Sequence, residues 1–176
     1  MSTATETTTQ MYRVYIKASP QAIWDAITSP EWSDRYGYWG HVSYDLRPGG
    51  ALSIRASDAM KKAGAELGFP TPDVIVDGEV IEADPPRKLV QTWRMLMDPN
   101  GAEGFTRLTY EIEEGRGGVS KLTVIHDLAG APRLALAVAG EMGEEAGGGW
   151  SWVLSDLKSL LETGRRMDAE DPMNMG

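Results

Sequence analysis

The feature that most constrains the fold lies near the end of the chain, in residues 149–164, where apolar side chains recur with helical spacing. Six apolar residues of this stretch share one face of a 3.6-residue helix: Trp150, Val153, Leu154, Leu157, Leu160 and Leu161. Asp156 falls outside that face, and Gly164 is placed to end the helix. Exposed apolar surface costs roughly 25 cal/mol per Å², so we expect this helix to pack against the rest of the chain.

The chain before this helix has mostly the alternating pattern of half-buried strands. Tyr12, Val14 and Ile16 predict a first strand, and two Ser-Pro pairs, Ser19-Pro20 and Ser29-Pro30, predict two short helices after it. Further strand patterns follow up to residue 128, including a hairpin that turns at Pro48-Gly49-Gly50, where glycine supplies a positive φ. Short turns join most of these strands, which indicates antiparallel pairing.

Two intervals interrupt this strand pattern. Residues 57–72 predict an inserted loop in which 61–67 form weak helix, and residues 129–149 predict a connection with a helical turn at 134–138. The whole order predicts an α+β fold, in which a curved antiparallel sheet of about six to seven strands wraps around a long C-terminal helix.

The length of 176 residues suits a single domain. We predict that this domain spans residues 11–164, between disordered tails at 1–10 and 165–176.

Composition excludes several classes of function. The net charge of −9 argues against binding to nucleic acid or to an anionic membrane surface, because both depend on an excess of Lys and Arg. The chain has no Cys, which removes disulfides, thiol nucleophiles and thiolate metal sites. No apolar run is long enough to span a membrane and no secretory signal is present, so we expect a cytoplasmic protein.

Several motifs, taken in order, suggest a family. They are residues 16–24, Arg47-Pro48-Gly49-Gly50, Gly78-Glu79-Val80, Asp84-Pro85-Pro86-Arg87-Lys88-Leu89 leading to Trp93, the strand that ends in His126, and Gly149-Trp150 with Leu154, Leu157 and Leu161. Over residues 11–164 the chain resembles the SRPBCC or START-like superfamily, which has the birch-pollen-allergen-like helix-grip fold. Within it, the chain resembles the branch of homologues of the activator of heat-shock protein ATPase (Aha-type). The resemblance implies two short helices after the first strand and an apolar ligand held between the sheet and the last helix.

No catalytic motif is apparent. The chain lacks G-x-S-x-G, G-x-x-x-x-G-K-[ST], G-x-G-x-x-G and H-E-x-x-H, and its two histidines are His41 and His126. We therefore predict no cofactor and no metal, and favour a protein that is not an enzyme. His41 has a surface position by default.

His126 has two interpretations. It shares a strand face with Leu122 and Val124, which favours a core histidine satisfied by a hydrogen bond, to Tyr110 for example. Alternatively, it is a polar group that orients a ligand or acts as an acid or base.

Aromatic residues and methionines supply the other candidates for a ligand site. Gln91, Trp93 and Met95 alternate along one strand face, and such a stripe suits either a packed core or the wall of an adaptable pocket. The aromatics of residues 24–39 could form a pocket rim or hold a loop onto the sheet. The predicted cavity residues are Trp24, Trp32, Tyr36, Trp39, Gln91, Trp93, Met95, Tyr110, His126, Trp150, Leu154 and Leu157.

Three functions follow from the resemblance. The leading hypothesis is binding or sequestration of a hydrophobic or aromatic small molecule, in detoxification or natural-product resistance. The second is a co-chaperone-like module that binds a chaperone partner. The third is a cyclase or dehydratase that acts on a polyketide-like substrate. A homodimer is a further possible assembly.

Overall fold

A computed structural model describes residues 8–37, 40–68, 70–97, 101–141 and 148–168. The strands are β1 (Thr9–Ile16), β2 (His41–Tyr44), β3 (Ala51–Arg55), β4 (Val74–Asp84), β5 (Lys88–Met95), β6 (Thr106–Glu114) and β7 (Ser120–Asp127). The helices are α1 (Pro20–Thr28), α2 (Pro30–Ser33), α3 (Asp58–Glu66), α4 (Pro132–Val138) and α5 (Gly149–Thr163).

The described strands form one antiparallel sheet in the order β1-β7-β6-β5-β4-β3-β2. Strands β2 to β7 each pair with their neighbours in sequence, while β1 pairs with β7 at the other end. The register shifts between Ile54 and Arg55 and between Val80 and Glu82, and such irregularities bend a sheet. The predicted α+β class and antiparallel sheet are confirmed.

Local signals explain where the short elements begin. Ser19 Oγ accepts a hydrogen bond from the Ala22 N–H at 3.1 Å, and Pro20 occupies the first turn of α1, as predicted. Ser57 caps α3 through the Met60 N–H at 3.2 Å, which starts this helix three residues earlier than its apolar pattern indicates. Gly49 has φ +83° in the β2–β3 turn, as a tight turn requires.

Helix α5 packs across the concave face of the sheet. Leu154, Leu157 and Leu160 are buried, and the helix ends at Gly164, whose φ of +80° and N–H bond to the Leu160 carbonyl at 2.8 Å match the prediction. The indole of Trp150, near the start of the helix, contacts Tyr110 of β6. The sheet and its last helix therefore enclose the core.

Asp156 lies outside the apolar face of α5 but is buried, which the sequence did not predict. The residue is fully buried, because its carboxylate accepts the N–H groups of Gly37 at 2.8 Å and Met167 at 2.9 Å. One guanidinium nitrogen of Arg166 lies 3.4 Å from the same carboxylate. Helical periodicity cannot show such bonds, since both partners lie outside the helix.

A few residues on either side of 11–164 also make contacts with the rest of the described chain. Thr9 and Gln10 belong to β1, and the Gln10 side-chain amide donates to the Ala135 carbonyl at 2.9 Å. Residues 165–168 contact α5 through Asp156. Backbone pairing and polar contacts hold both segments, so they leave no apolar periodicity in the sequence. No helix in the described part of the chain is long and apolar enough to cross a membrane.

Candidate functional site

A cavity of about 420 Å³ lies between the concave face of the sheet and the first turns of α5. Small-molecule sites typically enclose about 300–1,000 Å³. The described residues that line it are Ile27, Ser33, Tyr36, Gly37, Gly40, Val42, Tyr44, Ile54, Met60, Ile75, Val76, Trp93, Met95, Met97, Tyr110, Ala137, Val138, Gly149, Trp150 and Val153. None of these lining residues carries a charge, so the site is an apolar chamber with a few hydroxyl and indole groups.

Five of the predicted cavity residues line this space: Tyr36, Trp93, Met95, Tyr110 and Trp150. The alternation of β5 turns Trp93 and Met95 to the concave face, where α5 brings the Trp150 indole over the sheet. The Tyr110 and Trp150 rings meet edge to face, with centroids 6.1 Å apart. Trp39 lies outside the described residues.

The other six predicted residues do not line the cavity. Trp24, Leu154 and Leu157 are buried in the hydrophobic core. Trp32 lies beneath the guanidinium of Arg35, whose carbon is 4.4 Å from the ring centroid.

Gln91 lies behind the cavity wall. Its side chain is 1% exposed, and its Oε1 accepts a hydrogen bond from the Tyr44 hydroxyl at 2.8 Å. Tyr44 therefore stands between Gln91 and the cavity. The parity of β5 predicted the inward direction of Gln91, but a strand pattern cannot show which partner from another strand covers it.

His126 is fully buried behind Trp93 and Trp150, and both of its ring nitrogens are engaged. The Trp150 indole N–H donates to Nδ1 at 3.1 Å. Since an indole N–H only donates, the ring proton must be on Nε2, which lies 2.8 Å from Thr106 Oγ1. Thr106 in turn donates to the Trp93 carbonyl at 2.7 Å.

This chain of bonds makes His126 a neutral core residue. Burial lowers the pKa of His126 to about 4, which is consistent with an unprotonated Nδ1. The core interpretation is the one the structure favours, although the partners are Thr106 and Trp150 rather than Tyr110. His126 lies on the predicted concave face of the sheet, but one layer of side chains separates it from the cavity.

Three tyrosines approach one another around the cavity. Tyr36 donates its hydroxyl proton to the Ala26 carbonyl at 2.9 Å, and Tyr44 donates to Gln91. Burial raises the pKa of Tyr36, Tyr44 and Tyr110 above the usual value, so all three phenols stay protonated. They offer neutral hydroxyl groups rather than charges.

Many residues of the cavity wall were not predicted from the sequence. Strands β2, β3 and β4 contribute Val42, Tyr44, Ile54, Ile75 and Val76, and the inserted helix α3 contributes Met60. The alternation of Val42 with Tyr44 was a usable signal, because both lie on one face of a short strand. Nothing local marks Met60, since α3 has no buried residue and its contact with the cavity depends on the tertiary fold.

The described wall holds polar groups but no charged side chain. Within the described residues, no group of three or more His, Asp or Glu side chains is placed to hold a metal ion. The wall's polar groups are tyrosine and serine hydroxyls and tryptophan indoles on an otherwise apolar surface. Apolar walls with a few polar groups are typical of small-molecule sites.

Comparison with solved structures shows the same fold in other proteins. DynU16, a protein of the dynemicin biosynthetic locus, is 20% identical and superposes with a TM-score of 0.63 over 90% of this chain and 49% of its own. The solution structure of CalU16 from Micromonospora echinospora is 18% identical, with a TM-score of 0.60 over 94% of this chain and 71% of CalU16. In the crystal structure of CalU16, this chain covers 59% of that chain.

An HSP90 activator also shares the fold. PFC0360w from Plasmodium falciparum is 18% identical, with a TM-score of 0.50 over 68% of this chain and 72% of its own. At these identities the likeness shows the fold alone. No curated protein sequence is significantly similar to this chain.

The family comparison covers most of the domain. Residues 17–162 match the family described as Activator of Hsp90 ATPase homolog 1-like protein. That range runs from the end of β1 to the last turn of α5, and so includes every element that encloses the cavity. The chain therefore belongs to the family of Activator of Hsp90 ATPase homolog 1-like proteins.

Proposed function

We propose that this protein binds and sequesters a hydrophobic or aromatic small molecule in the cavity between the sheet and α5. The observation that carries the proposal is the cavity itself, about 420 Å³ of apolar wall without a charged side chain among its described residues. Aromatic walls and methionines suit an apolar guest, because both surfaces adapt to its shape. The guest would be a natural product, and its sequestration would serve detoxification or resistance within the cytoplasm. The fold shared with DynU16, a protein of the dynemicin biosynthetic locus, supports this role.

A cavity-blocking variant tests this proposal. Val153 lines the cavity from α5, so Val153→Trp places an indole in the space that a guest would fill. We expect N-phenyl-1-naphthylamine, a neutral probe that fluoresces in apolar surroundings, to bind the unaltered protein and to bind Val153→Trp at least about tenfold more weakly. Ser155→Trp is the matched control, since it adds the same side chain to the exposed face of the same helix.

Native mass spectrometry of the protein purified from its own host extends this test. We expect a small-molecule adduct on the unaltered chain and on Ser155→Trp, and none on Val153→Trp. Equal probe binding by Val153→Trp and Ser155→Trp would place the probe elsewhere and contradict the proposal.

A chaperone partner is the second candidate function. Membership of a family described by Hsp90 ATPase activation supports it, as does the fold shared with PFC0360w. If the protein is such a partner, adding it to a bacterial Hsp90 homologue raises the ATPase rate, and Val153→Trp leaves this effect unchanged because it alters the interior. An unchanged ATPase rate removes this candidate.

For a cyclase or dehydratase, His126 does not suit the acid–base role. His126 has no ring nitrogen left for a substrate, because Trp150 and Thr106 occupy both. The structure offers neutral hydroxyl groups in its place, which orient a guest more readily than they transfer protons from it.

A further inference from the structure

The polar groups of the cavity wall are mostly used within the protein. The Tyr36 hydroxyl donates to the Ala26 carbonyl, the Tyr44 hydroxyl to Gln91, and the Trp150 indole N–H to His126. A group whose proton is already donated gains little from a guest, because binding would exchange one hydrogen bond for another.

The Tyr110 hydroxyl has no such partner. Among the described residues no group forms a hydrogen bond with it, although the ring lies in the middle of the sheet, opposite Leu89 of β5 and Val124 of β7. The hydroxyl oxygen is not sealed within the protein, and the residue lines the cavity. A hydroxyl held on a rigid strand without a partner is set to donate to an acceptor on the guest.

The ring of Tyr110 has little freedom to turn elsewhere. Trp150 contacts it edge to face, and Trp150 is itself fixed by its bond to the buried His126. The position of the hydroxyl is therefore defined before any guest enters. Because the Tyr110 side chain is already ordered, a hydrogen bond to a guest does not cost the conformational entropy of ordering that side chain.

The wall also selects against charge. A carboxylate or ammonium group in this cavity would lose its hydration, and no described lining residue carries an opposite charge. Burial raises the pKa of Tyr110, which keeps its hydroxyl a neutral donor throughout the ordinary pH range. Charged analogues of a good guest should therefore be rejected.

Resting on the proposed function, we infer that the guest is an uncharged aromatic molecule with a carbonyl-type acceptor, and that the Tyr110 hydroxyl donates a hydrogen bond to this acceptor. The indoles of Trp93 and Trp150 supply the aromatic contacts. Tyr110 thus determines specificity, whereas the remaining wall supplies apolar affinity.

Three anthracenes of similar shape test the inference: 2-acetylanthracene, 2-ethylanthracene and anthracene-2-carboxylate. Binding is measured by the quenching of tryptophan fluorescence. We expect the ketone to bind about tenfold more tightly than the ethyl compound, the fold-change of one well-placed hydrogen bond. The carboxylate should bind about a hundredfold more weakly than the ketone, because its charge is desolvated without a partner.

Two tyrosine variants separate the hydroxyl from the ring. Tyr110→Phe should abolish the preference for the ketone and leave the affinity for 2-ethylanthracene unchanged, which also shows that the cavity is intact. Tyr15→Phe is the matched control, since it removes the hydroxyl of an exposed tyrosine that does not line the cavity, and it should keep the preference.

The outcomes distinguish a failure of the proposed function from a failure of the inference about Tyr110. If none of the three compounds binds the unaltered protein, the proposed function fails and the inference fails with it. If they bind but the ketone and the ethyl compound are equal, or Tyr110→Phe keeps the preference, the inference is overturned and the proposed function stands.

Discussion

Replacing Asp156 with alanine is expected to lower the free energy of unfolding by about 3 kcal/mol, as for other buried carboxylates that accept hydrogen bonds and an ion pair. The substitution leaves the N–H groups of Gly37 and Met167 without their acceptor, and removes the carboxylate beside Arg166. Urea denaturation at pH 7 measures the change.

Two further variants show whether the loss of stability in Asp156→Ala comes from the buried carboxylate. Asp156→Asn keeps one acceptor oxygen but not the charge, so we expect a smaller loss. Glu162→Ala is the matched control, because it removes an exposed ion pair with Lys158 from the same helix and should cost no more than about 0.5 kcal/mol. A loss below 1 kcal/mol in Asp156→Ala, or one equal to that of Glu162→Ala, would contradict the role assigned to the buried carboxylate.

The second large effect is a dependence of stability on pH that comes from His126. In the unfolded chain a histidine binds a proton near pH 6.5, whereas burial lowers the pKa of His126 to about 4. Between these values the unfolded state binds the extra proton, so stability is full above pH 6.5 and falls as pH falls toward 4. The full difference is about 3 kcal/mol at roughly 1.4 kcal/mol per unit.

This loss is measured by urea denaturation at pH 7 and pH 5, where His126 should account for about 2 kcal/mol. His126→Gln removes the titration but keeps a donor and an acceptor, so its stability should depend less steeply on pH by about that amount. His41→Gln is the control for loss of a histidine, since His41 is exposed. Equal pH dependence in His126→Gln and the unaltered protein would show that His126 is not buried as a neutral ring.

For His126, the sequence predicted the direction of the side chain but not its hydrogen-bond partners. The parity of β7 placed His126 on the concave face with Leu122 and Val124, and that placement follows from strand geometry alone. Its partners could not be predicted, because Thr106 is on a neighbouring strand and Trp150 is on a helix 24 residues later. Periodicity fixes the direction of a side chain, but not its depth behind other side chains.

The same limit of periodicity explains which lining residues of the cavity were predicted and which were missed. Trp93, Met95, Tyr110 and Trp150 were predicted because long strands and a long helix have clear periods. Val42, Tyr44 and Met60 were missed because β2 has only four residues and α3 buries none of its own. The burial of Asp156 was missed because its partners, the backbone N–H groups of Gly37 and Met167, carry no sequence signal.

One carboxylate thus joins two segments that are far apart in the sequence, at residues 37 and 167. Gly37 borders the cavity, and its carbonyl accepts a hydrogen bond from the Arg166 guanidinium at 3.2 Å, so a displacement of Gly37 away from α5 breaks a bond to the segment that follows the helix. If a guest displaces Gly37 as it enters, the exposure of residues 165–168 changes as well. Protease cleavage at this segment, or a spectroscopic label attached to it, would then report occupancy of the cavity without contact with the guest.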